Sequence, residues 1–151
     1  MPYRVGRGNA GLTGGEIKVV TVADPGAGVA PSIPVPAGKI WRLAAMAFTF
    51  TTSAAVGDRQ IQLIVKDSTG EEVLERGSRY AQVASRTLKH IFAPNTANVW
   101  GDDSAGRAVI PLPDNLLLPD DTSIDIEVVA TFDAGDAFSR IRLLVEEWKG
   151  V

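Results

Sequence analysis

The chain holds one histidine and no cysteine, so few routes to nucleophilic or metal chemistry are open. A Ser-His-Asp triad would need His90 as its base, and the surrounding run TLKHIF carries no nucleophile motif. A multi-histidine metal site cannot be built from one histidine, and the missing cysteines remove thiolates, disulfides and Cys-ligated zinc together. There is no G-x-S-x-G elbow and no P-loop. The glycines of GRGNAG near the N-terminus do not stand between a strand and a helix, as a dinucleotide site requires. His90 is therefore read as a structural or surface residue.

Carboxylates are paired at Asp102/Asp103, Asp120/Asp121, Asp133/Asp136 and Glu146/Glu147, and two facing carboxylates are what acid/base glycoside cleavage uses. Most of these pairs fall in turn-rich sequence, where an Asp side chain accepts hydrogen bonds from nearby backbone N–H groups. The turn role is preferred to catalysis. A calcium site in GDDSAG is a weaker alternative, because its spacing does not follow the EF-hand loop. Trp41, Trp100 and Trp148 could stack on a sugar, but Trp41 lies in an apolar stretch that reads as core. Trp100, between Asn98 and Asp102, is the best candidate for contact with a partner, with simple packing of its loop as the alternative. No catalytic residue, metal ligand or cofactor is assigned, and the chain is read as a non-enzyme.

These residues must be held by something, and the sequence points to strands. With 151 residues and 45% hydrophobic content, the chain can bury one substantial core. A net charge of −3 gives no general basic field for a phosphate backbone, so nucleic acid is not an expected partner. No apolar run reaches the ~20 residues of a membrane helix. The run MPYRVGRGNAGLTGG lacks the apolar centre of a signal peptide, so neither membrane nor export is expected.

Residues 1–15 are Gly-rich and poor in large apolar groups, and they read as a flexible arm ahead of a single domain at 16–151, either a disordered tail or a segment that orders on a neighbouring subunit. Tyr3 and Val5 would anchor such an arm on a neighbour. The body opens with a strand at Glu16 to Ala23 and a turn at DPGAG, followed by PSIPVPAGK, whose prolines confine it to an edge or a connector. From Lys39 the alternation is apolar on both faces. It places Ile40, Arg42, Ala44, Met46, Phe48 and Phe50 on one side of a central strand. Ile61, Leu63 and Val65 form another strand that ends at DSTG, with a short return at Glu71 to Glu75. Arg79 to Phe92 has mixed spacing and is read as strand, APNTANVWGDDSAG as a long surface loop, and RAVIPLP as a short strand.

The clearest pattern lies near the C-terminus. Ile124, Ile126, Val128, Ala130 and Phe132 alternate with polar residues, and after a turn at Asp133 to Asp136 so do Ile141, Leu143 and Val145. Their proximity predicts a hairpin. Short strands at turn spacings of about 8 to 12 residues, without a clear helix, predict an all-β antiparallel sandwich, jelly-roll-like in winding.

The segments VPAGKIWRL, TTSAAVGDRQIQLIVKDSTGEEV, PLPDNLLLPDDTSIDIEV and FDAGDAFSRIRLLVEEW together resemble small structural proteins of tailed bacteriophages, specifically capsid decoration or cement proteins. The resemblance spans about Pro34 to Trp148 and is carried by strands and turns. It implies a β-sandwich on the outer face of an icosahedral head, a homo-oligomer, often a trimer, that locks neighbouring major capsid protein subunits. The expected location is the virion surface after synthesis in the host cytoplasm. Tyr3, Arg4, Val5 and Arg7 of the arm are the first candidates for shell contact, with Trp100 next. A neck, tail or head-fibre component is the alternative, and a carbohydrate-binding sandwich ranks below both.

Overall fold

The computed structural model describes residues 14–100 and 106–150, with the side chains of residues 99 and 100 left aside. Tyr3, Arg4, Val5, Arg7, Asp102 and Asp103 lie outside the described residues. All regular structure among those described is strand: β1 (Glu16–Val22), β2 (Ser32–Pro34), β3 (Lys39–Thr51), β4 (Arg59–Lys66), β5 (Glu72–Gly77), β6 (Thr87–Pro94), β7 (Val99–Trp100), β8 (Arg107–Leu112), β9 (Leu117–Leu118), β10 (Ser123–Ala130) and β11 (Ala137–Lys149).

The strands form two packed sheets. The larger runs β1-β11-β3-β6-β8-β7, with β9 joined to β3, and the smaller runs β2-β10-β4-β5. Pairing is antiparallel except between β6 and β8, where Lys89 to Pro94 run parallel to Arg107 to Leu112. The all-β sandwich expected from the alternation is the fold; the pairing does not establish a jelly-roll winding. The core lies between the sheets: Phe48, Phe50, Phe138 and Leu143 of the larger meet Ile61, Leu63, Ile124 and Ile126 of the smaller. An aromatic group anchors it, with Phe50 stacked on Phe138 at 4.5 Å and Phe138 edge-on to Phe48 at 5.4 Å.

Three expectations are corrected. β10 and β11 are not a hairpin: β10 pairs with β4 and β2, whereas β11 pairs with β1 and β3. Period-2 alternation says that a strand has one buried face, and two such strands satisfy it equally well side by side or facing each other across a core. Residues 131–136 therefore cross between the sheets, and Phe132, assigned to the apolar face, is 38% exposed.

The second correction concerns β3. Between β3 and β11 the register shifts at Leu144/Val145, which places an extra residue on β3 near Ala44. Parity flips there, so Trp41 and Leu43 share the core face with Met46, Phe48 and Phe50. Unbroken alternation cannot register a bulge. Third, the expected loop at 93–106 contains β7, which pairs with β8 through Val99↔Val109 and Trp100↔Ala108. The strand content of Arg79 to Phe92 begins at Thr87, preceded by an isolated bridge between Gln82 and Arg59.

Candidate functional site

The titratable residues singled out above resolve into structural groups. His90 of β6 is fully buried, stacked on Phe48 with ring centroids 5.3 Å apart and edge-on to Phe50 at 6.3 Å. Burial pushes its imidazole down to about 4, against a small upward effect from the Leu88 backbone. Its imidazole has no exposed surface and lies among the Phe48 and Phe50 rings, a core position.

Asp133 and Asp136 form the turn that carries the chain from β10 to β11. Asp136 has no exposed side-chain surface, and neither does its partner Arg59, the first residue of β4. Arg59 Nε donates to Asp136 Oδ2 at 3.0 Å and Nη2 to Oδ1 at 3.2 Å, a bidentate pair. The remaining guanidinium protons go to the carbonyls of Ala55 at 2.8 Å and Gly57 at 2.5 Å and to Ser53 Oγ at 3.2 Å. Burial alone would raise the Asp136 carboxyl, but the backbone N–H groups of Asp133 and Ser53 and the Arg59 charge outweigh it and hold it below the usual range. Every acceptor site is committed, so the pair is a strut between sheets.

Glu147 of β11 is a second committed carboxylate, 7% exposed. It accepts from Lys18 Nζ at 2.8 Å and Trp41 Nε1 at 2.7 Å, with Lys39 Nζ at 3.3 Å. Burial would raise its carboxyl; Lys18, Trp41 and Lys39 reverse that and bring it to about 2. The cluster ties β1, β11 and β3 together at the end where Trp41 and Trp148 are buried. Two of the three tryptophans are therefore core residues, and a three-ring sugar platform is not assembled. Glu146 pairs with Arg42, and Asp120 Oδ2 caps the Gly38 N–H at 3.0 Å. Asp133 accepts from the Gly135 N–H at 2.9 Å and Asp136 from the Asp133 N–H at 3.0 Å, the contacts expected of a turn pair, whereas Asp120 reaches the sequence-distant Gly38. Among the described residues, no group of His, Asp or Glu side chains is placed to hold a metal ion.

What remains is surface. β1 is an edge strand of the larger sheet, and its outward side chains include Ile17 at 72% and Val19 at 64% exposure. Val19 is in register with Leu144, itself 39% exposed, so apolar side chains continue from the edge onto the sheet's outer face. The strand has no proline and no bulge, two of the devices that blunt edge pairing. Its one inner lysine, Lys18, is tied to Glu147. The sequence marked Glu16 to Ala23 as a strand, but its place at an edge is a matter of topology. Farther across the same face, Ala47, Thr49, Lys89, Arg140 and Arg142 line an open trough of about 430 Å³. Trp100, the sequence candidate, lies on β7 at the sheet's opposite edge.

No family model matches the chain, and neither a curated protein nor a solved structure matches it.

Proposed function

We propose that this protein is a structural component of a tailed-phage virion, a decoration protein that binds the outside of the assembled head. It acts without turnover. The observation that carries the reading is that the buried carboxylates Asp136 and Glu147 are each committed to structural bonds, while among the described residues exposed apolar side chains lie on β1 and the adjoining outer face. That surface suits the burial of area against another protein. The sequence resemblance supplies the partner, the major capsid protein, and the homo-oligomeric, trimeric state. Binding only to the assembled shell would stabilise the shell by mass action.

Immunogold labelling of particles from the source lysate, with antibody to this protein, tests the reading. Label spread over the heads is the expected result. Gold confined to one vertex or to the tail would replace decoration with a neck, tail or fibre role, and unlabelled particles would overturn a virion role altogether.

A further inference from the structure

We infer that the outer face of the larger sheet carries a binding site for an acidic segment of a partner protein, seated in the trough between Lys89, Arg140 and Arg142. The trough exists because the two β3 residues on its floor, Ala47 and Thr49, are small, while the strands on either side present long cationic side chains. Lys89 stands on β6 beside Thr49, and Arg142 stands on β11 beside Ala47. On the far side of Lys89, Arg107 of β8 occupies the paired position, and both are exposed. Four cations thus span three strand spacings, about 14 Å.

Lys18, Lys39, Arg42, Arg59 and Lys66 each have a carboxylate within salt-bridge distance, but Lys89, Arg107, Arg140 and Arg142 have none among the described residues. Arg76, Arg79 and Lys149 also lack a carboxylate partner among the described residues, but the cations of this face are the ones that flank the trough. Asp24 accepts from the backbone N–H of Arg140 at 3.1 Å without an ion pair to a guanidinium among the described residues. Like charges placed directly opposite on neighbouring strands, as Lys89 and Arg107 are, destabilise a sheet. Arg140 adds a second cost, since its φ of 54° lies in the left-handed region. That conformation makes the bulge at Ser139/Arg142 which lets Phe138 and Ile141 both face the core while the exposed Arg140 and Arg142 stand beside the trough. Two unfavourable features coincide on one face of a chain whose net charge is −3. An external anion relieves the first and gives a use to the second.

The ligand is a protein segment rather than a phosphate backbone, because Leu144 and Val19 extend the same face with exposed apolar surface. Carboxylates would take bidentate bonds from the arginines, and apolar side chains of the same segment would cover Leu144. This holds whether or not the partner is a capsid subunit.

The test uses the full chain at low salt and a fluorescein-labelled deca-glutamate peptide, followed by anisotropy, with a labelled oligothymidylate of equal length as the competing probe. The peptide is expected to bind, the K89E/R142E variant to weaken it ~10-fold or more, and K149E, which reverses an exposed lysine outside the trough, to change it less than ~2-fold. Amide shifts on peptide addition should centre on residues 47–49, 89 and 140–142. Equal binding by wild type and K89E/R142E, or tighter binding of the oligothymidylate, would overturn the assignment. Should the charge reversal unfold the sheet, K89Q/R142Q carries the same comparison.

Discussion

Arg59 and Asp136 meet in a bidentate ion pair at 3.0 and 3.2 Å with no exposed side-chain surface on either partner, and they join the first residue of β4 in one sheet to the turn entering β11 in the other. The pair replaces a covalent staple in a chain without cysteine. Such a pair contributes little net stability over a well-packed apolar pair, yet breaking it leaves a buried charge alone. Asp136→Asn is expected to cost about 3 to 5 kcal/mol in urea unfolding. A loss under ~1 kcal/mol would mean that water reaches Arg59.

Acid should destabilise the protein well above the carboxylate range. His90 is neutral in the fold, with its imidazole near 4, while in the unfolded chain it titrates at 6.5. The unfolded state therefore binds the extra proton first, and stability falls as pH drops from 6.5 towards about 4. The full effect is about 3 kcal/mol. His90→Phe, placed between Phe48 and Phe50, should flatten this part of the pH–stability curve. An unchanged slope between those limits would show that His90 is protonated in the native state.

A second acid window belongs to Glu147. Its carboxyl lies at about 2 in the fold against 4.5 as the reference, so the stability it supplies is complete above 4.5 and is lost as pH falls towards 2. Because Lys18 and Lys39 are 37% and 40% exposed, solvent screening lowers the contribution to about 2 kcal/mol. Glu147→Gln should remove that pH dependence and leave the His90 window in place. Denaturation midpoints measured from pH 2 to pH 7 separate the two.

Arg140 offers a trade between stability and binding. Glycine adopts its φ of 54° without the steric cost of a side chain. In an ordinary strand position Arg→Gly would lose about 1 kcal/mol, whereas Arg140→Gly should be neutral or gain up to ~1 kcal/mol. The same variant should bind the acidic peptide more weakly. A clear loss of stability would place the role of Arg140 in the fold rather than at the trough.

Much of the fold was legible because it rests on short-range chemistry. The alternation in IQLIVK, IDIEV and IRLLV marked strands, and the turn residues of DSTG and DAGD marked their ends: Asp67 accepts from the Thr69 and Glu71 N–H groups, as a turn aspartate should. His90 was legible as structural from the absence of any partner motif around it. The cationic trough was not legible, because Lys89 and Arg142 are far apart in sequence and become neighbours only with β3 between them.

By itself, then, the sequence determined the fold class and the positions of most strands, since side-chain periodicity and turn chemistry act within a few residues of chain. The tertiary structure decided which strands share a sheet, where bulges reverse a strand's faces, that Asp136 answers Arg59 and that four cations without a carboxylate partner among the described residues share one face. Those choices depend on contacts between distant segments, where several pairings bury the same apolar faces and only packing of the whole core selects among them.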